Sequence, residues 1–151
     1  MPSIRQEIAS EAVPEQVWAA VRDVSAVHRR LVPSHVVDTR VDGDTGILPF
    51  PSGGVIRELI GAVDDEARRL AYAVVASRMP LVHHLASFQV FADGEGRSRL
   101  VWIADFLPHE LAIEIRTHIE RGAAVMKETL EAAVGAVSLL GPRFLRRQCS
   151  R

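Results

Sequence analysis

Cysteine occurs once in this chain, at Cys149, so no internal disulfide is available and nothing calls for an oxidising compartment. Long apolar runs are also missing: none approaches the ~18–20 residues of a membrane span. The N-terminus lacks the basic-then-apolar pattern of a secretion signal. Charge of one sign is absent too, since 18 basic and 19 acidic residues leave a net charge of −1. Such a balance gives no reason to expect nucleic acid or another polyanion as a partner. Lysine appears only at Lys127, which reflects coding composition more than chemistry. The six histidines show no His-x-x-x-His spacing, and no serine sits in a nucleophile elbow. No glycine-rich phosphate loop is present either. These absences lead to the expectation of a cytoplasmic protein with no metal, no cofactor and no integral membrane association.

What is present describes one globular unit. The chain has 151 residues, 48% of them apolar and 25% charged, ordinary values for a single domain. Ser3 to Ala9 alternates, with Ile4, Gln6 and Ile8 on one side, and reads as a strand. Pro14 suits the first turn of a short helix in which Val17, Trp18 and Val21 share a face, and Asp23 is placed to cap a second helix ending before Pro33. Strand patterns follow at His35 to Val41, Gly46 to Phe50, Val55 to Val63, Arg69 to Ser77, Val82 to Ala92 and Arg97 to Phe106. Short turn-rich connections make them antiparallel neighbours. From His109, apolar residues recur every three or four positions to Leu140, including Leu111, Ile115, Ile119, Gly122, Met126, Leu130 and Ala133. Gly141-Pro142 stops that helix. The expected architecture is therefore α+β, with about seven curved antiparallel strands wrapped on a long C-terminal helix. Residues 1–140 form the domain, and 141–151 form a tail with four arginines and no acid.

Several strings in this order are shared with a known superfamily. They are Val13-Pro14-Glu15-Gln16-Val17-Trp18, His28-Arg29-Arg30-Leu31-Val32-Pro33, Gly54-Val55-Ile56-Arg57-Glu58-Leu59 and Asp64-Asp65-Glu66. Arg69-Leu70-Ala71-Tyr72, His83-His84, Trp102-Ile103-Ala104-Asp105-Phe106 and Arg121-Gly122 continue the series. The chain thereby resembles the START-like (SRPBCC) helix-grip superfamily, in particular its bacterial polyketide cyclase/dehydrase and lipid-transport branch. The resemblance implies a mostly apolar cavity between sheet and helix, of roughly 300–1,000 Å³ if it holds a ligand. It also implies a carboxylate in that cavity at Glu58, as in the hormone receptors of the superfamily. Pro49 and Pro51 depart from the usual pattern. They put full pairing of the third strand in question and suggest a stiff pocket lip.

Seven residues are expected to line the cavity: Glu58, Tyr72, His84, Phe88, Trp102, Gly122 and Met126. Glu58, Ile60 and Ala62 share a strand face, and Arg57 and Leu59 the other. Glu58 has three readings: an ion pair with an arginine, an anchor for a ligand's polar group, or a general acid or base. His84 shares parity with Ala86, Phe88 and Val90, while His83 points the opposite way, so the two cannot easily chelate one metal. Gly122 marks either a close approach of helix to sheet or room for a ligand. The leading function is binding or transport of a hydrophobic small molecule of lipid, polyketide or aromatic type, with Glu58 and His84 as anchors. The alternatives are a polyketide cyclase or aromatase using His84 and Glu58, and an interaction module with a packed core. A homodimer is left open, and the arginine-rich tail is read as solvated or self-docked rather than membrane-bound.

Overall fold

A computed structural model describes residues 2–33 and 35–140, with only the backbone described for 135–140. The tail and Cys149 lie outside the described residues. The first strand, β1 (Ser3–Ser10), buries Ile4, Ile8 and Ser10 by simple alternation. Helix α1 (Pro14–Arg22) starts on its proline and buries Val17, Trp18, Ala20 and Val21. A 3-10 turn, Val24–Ala26, leads into α2 (Val27–Arg30). The expected capping bond of Asp23 does not form: its carboxylate accepts instead from the Ser25 hydroxyl at 3.0 Å and from Arg30 at 3.0 Å.

The stretch expected as a strand from His35 to Val41 yields only β2 (Arg40–Asp42). Side-chain bonds compete with the ladder before it, which is how short polar residues break extended structure. The Thr39 hydroxyl accepts the backbone N–H of His28, and Asp38 accepts that of Thr39. The remaining strands follow expectation closely: β3 (Thr45–Pro49), β4 (Val55–Asp64), β5 (Arg69–Ala76), β6 (His83–Ala92) and β7 (Ser98–Leu107). They form one antiparallel sheet in the order β1-β7-β6-β5-β4-β3-β2. Pro49 is tolerated because it ends β3, opposite Val55, where its missing donor matters little. Its carbonyl accepts the N–H of Val37 at 2.8 Å. The alternation of β4 holds through Ile60 and then breaks at a register shift before Ala62, so Ala62 is exposed rather than inward.

After a 3-10 turn at His109–Leu111, α3 (Ala112–Leu140) lies over the concave face of the sheet. It buries Ile115, Ile119, Ala123, Met126 and Leu130, while Ala133 is exposed. Lys127 donates to the Ala9 carbonyl at 2.7 Å and to Glu131 at 3.0 Å, pinning the helix to the end of β1. The helix approaches the sheet closely at Gly122. A Cβ there would lie 3.1 and 3.2 Å from two carbons of the Trp102 ring. Close approach, not room for a ligand, is what this glycine provides. Trp102 cannot easily yield, because its indole N–H donates to the Tyr72 hydroxyl at 3.0 Å and its ring stacks on Phe88 at 4.8 Å.

Gly122→Ala should therefore destabilise the fold by about 1–2 kcal/mol, as overpacking outweighs the ~1 kcal/mol that alanine gains in helix propensity. Equilibrium denaturation measures this. A net gain in stability would mean that the indole moves aside freely.

Candidate functional site

The concave face of the sheet carries a run of aromatic rings. Tyr72 stacks on Phe88 with ring centroids 5.8 Å apart and planes 18° apart, and Phe88 stacks in turn on Trp102. These rings, from β5, β6 and β7, fill most of the wedge under α3. The volume left is about 70 Å³, far below the range expected for a ready-made ligand cavity. Glu58, Tyr72, Phe88, Trp102 and Met126 all line it, together with His35, Phe50 and His118. Gly122 is taken up by the Trp102 contact and is not part of this wall.

His84 is also absent from this cavity. It borders a smaller void of about 30 Å³ that shares Glu58, Tyr72, Trp102 and His118 with the first. A third, open space of about 170 Å³ lies beneath the β3–β4 hairpin and includes Phe50, Ser52, Arg78, Met79, Glu114 and His118. Ile56 and His118 border all three spaces. The partition between them is therefore made of side chains.

Glu58 and Ile60 point inward, as their shared parity requires. Among the described residues Glu58 makes no hydrogen bond and no ion pair, so the arginine partner expected as one option is not found. The residue as a whole is half-buried, but burial of its carboxyl raises the pKa from the usual 4.5 to about 7. Tyr72 is pushed well above its normal value, first by burial and then by the charge of Glu58.

His84 has a structural task. Pairing of β5 with β6 runs from Arg69–Gln89 to Tyr72–Ala86 and stops there. Beyond that point the His84 Nδ1 accepts the backbone N–H of Val74 at 3.0 Å, satisfying a donor the ladder abandons. This bond fixes the neutral tautomer with its proton on Nε2. Burial lowers the pKa of His84 to about 4, with the neighbouring His83 contributing and Asp105 opposing. Strand β5 also separates His84 from the strand of Glu58, so the two are not on adjacent strands.

Two further histidines complete the wall. His118, on α3, packs against His35 with ring centroids 4.9 Å apart, and both contact Phe50, at 5.7 and 5.5 Å. Burial holds His118 near a pKa of about 4, aided by His35 and His84, and lowers that of His35 as well, with Arg121 assisting. The His35 Nε2 is buried and has no hydrogen-bond partner. A signal for His118 existed: it lies three residues after Ile115 and four before Gly122, on the buried stripe. His35 had none, because its position depends on a segment whose strand pattern is not realised. Among the described residues no three His, Cys, Asp or Glu side chains converge as metal ligands. No helix among them is long and apolar enough to cross a membrane.

These shifts act in opposite directions on stability. Glu58 is protonated in the fold over a range where the unfolded chain has ionised it. Its contribution is present below pH 4.5 and is lost as pH rises through about 7. His84 and His118 remain neutral in the fold where the unfolded chain is protonated, so they cost stability as pH falls from 6.5 towards about 4. Glu58→Gln removes only the first effect. Its stability gain should be larger at pH 8 than at pH 5 by about 2 kcal/mol in urea denaturation. Equal gains at both values would show that the carboxyl ionises normally.

Comparison with known proteins agrees with this architecture. No curated protein matches the chain. Among solved structures, a protein from Thermobifida fusca aligns at 26% identity over 90% of this chain and 95% of its own, with a TM-score of 0.76. Norcoclaurine synthase from Thalictrum flavum, solved in complex with dopamine and hydroxybenzaldehyde, aligns at 16% identity over 88% of this chain and 86% of its own, with a TM-score of 0.70. BexL, a di-domain ARO/CYC protein from the BE-7585A biosynthetic pathway, aligns at 19% identity and a TM-score of 0.74. That match covers 87% of this chain but 47% of BexL. At such identities the last two likenesses concern the fold alone. The family described as polyketide cyclase / dehydrase and lipid transport matches residues 1–137. With that match spanning nearly its whole length, and a helix-grip sheet and helix to go with it, the chain belongs to this family.

Proposed function

We propose that the protein binds a hydrophobic small molecule in the wedge between the sheet and α3. The observation that carries this reading is the unpartnered Glu58 carboxyl in a mostly apolar wall. A packed core has no use for such a group, which costs stability unless something satisfies it. The small volume does not remove the argument, because three spaces meet at Ile56 and His118. Rotation of His118 and Phe50 would join them and open the wedge beneath the β3–β4 hairpin. Glu58 is the main polar anchor in this arrangement. His84 acts chiefly by holding β5 against β6, and only its Nε2 proton remains to contact a ligand.

A second reading has its own support. A carboxyl with a pKa of about 7 is half ionised at neutral pH, the condition that favours general acid–base catalysis. In a cyclase of this kind Glu58 would move the proton, since His84 Nδ1 is committed to Val74.

Titration with Nile red, an uncharged fluorescent probe, tests the binding reading. Saturable one-to-one binding is expected, and Ile60→Phe should abolish it by filling the remaining space while leaving the circular dichroism spectrum unchanged. Failure of the wild type to bind would favour a packed interaction module. If a substrate is found, Glu58→Gln should weaken its binding by about 1.5–3 kcal/mol in a carrier. In an enzyme it should instead reduce turnover by roughly 10²–10⁴-fold.

A further inference from the structure

The main cavity contains polar groups but no fixed cation. Glu58, Tyr72, His35 and His118 line the main cavity, and no lysine or arginine does. Glu58 and Tyr72 project from adjacent strands on the same face: Tyr72 is opposite Ile60, and Glu58 lies two residues along from it. Diagonal neighbours of this kind are within reach of one another's long side chains. The Tyr72 oxygen accepts the Trp102 N–H, which leaves its own hydroxyl proton available. A hydroxyl placed between the two would donate to Glu58 and accept from Tyr72. Both groups would then be satisfied by one ligand atom. Beside this point lies the stacked surface of Tyr72, Phe88 and Trp102, which suits a flat ring. From the side of α3, the buried and unpartnered His35 Nε2 offers a contact for a second oxygen.

We propose that the wedge selects an uncharged aromatic compound carrying a hydroxyl donor, bound between Glu58 and Tyr72, and rejects carboxylates. The selection rests on the binding reading above. A ligand carboxylate held at Glu58 would meet a second carboxyl in the main cavity, where no lysine or arginine lines the wall, since Arg78 borders only the open space under the β3–β4 hairpin. The other titratable groups facing Glu58 give no relief. Tyr72 on β5, His84 on β6, His118 on α3 and His35 before β2 are all held in their neutral forms by burial. An acid of the same shape would bind only where one proton is shared between it and Glu58.

The test compares 2-naphthol, 2-naphthoate and naphthalene by quenching of tryptophan fluorescence in the full chain at pH 7.5. Naphthol should bind at least about tenfold more tightly than naphthoate, the scale of one hydrogen bond to a charged group. Glu58→Gln should reduce that ratio to within about threefold, and Tyr72→Phe should weaken naphthol by a larger factor than naphthalene. Equal or tighter binding of naphthoate overturns the proposal, as does a ratio that Glu58→Gln does not alter. Binding of all three without preference sinks this selectivity but leaves the hydrophobic site standing. Binding of none overturns both.

Discussion

The Trp102 ring lies against the backbone of Gly122, and this contact sets the distance between sheet and helix. A side chain at position 122 would press on the Trp102 ring, 3.1–3.2 Å from a Cβ placed there. The indole is held in turn by its bond to Tyr72 and by the stack on Phe88. Three strands thus contribute one ring each to a surface against which α3 rests. The width of the wedge and the volume within it follow from that surface. Most of the wedge is ring, which is why the internal space is small even though the architecture is that of an enclosing fold.

The polar groups in the wedge work against this packing. The Glu58 carboxyl costs stability once it ionises, and the neutral imidazoles of His35, His84 and His118 cost stability as pH falls. One of these groups has a structural reason, since His84 closes the gap where β5 and β6 separate. Glu58 and the His35 Nε2 have none within the described residues. Retained polarity without internal use is characteristic of sites whose partner comes from outside the chain.

The outer frame is tied by contacts of a different type. The Trp18 indole and the Arg22 guanidinium both donate to Asp65, at 2.9 and 2.7 Å, joining α1 to the β4–β5 turn. Arg68 in the same turn reaches Glu15 at 2.9 Å. Exposed ion pairs of this sort add little energy individually. Their role is positional, because they hold α1 against the β4–β5 turn. Asp65 lies in one of the strings that carried the resemblance, and Trp18 in another; the fold brings the two together.

The sequence by itself determined the order and type of the elements. Alternation in β1 and β4, the hairpin turns and the helical spacing from Ile115 to Leu130 are local patterns, and local patterns survive without knowledge of the fold. Parity put Glu58 and Ile60 on one face, and the family resemblance, not parity, named that face as the inward one. Where a bulge did intervene, at Ala62, parity misled. Only the tertiary structure decided the rest. The failed strand after His35 depends on Thr39 bonding back to His28, across eleven positions of sequence. The small cavity depends on three stacked rings from three strands, of which Trp102 meets Gly122, and the pairing of His35 with His118 joins a loop to a helix. These are distances between residues far apart in the chain, set by packing, and no periodicity in a single segment encodes them.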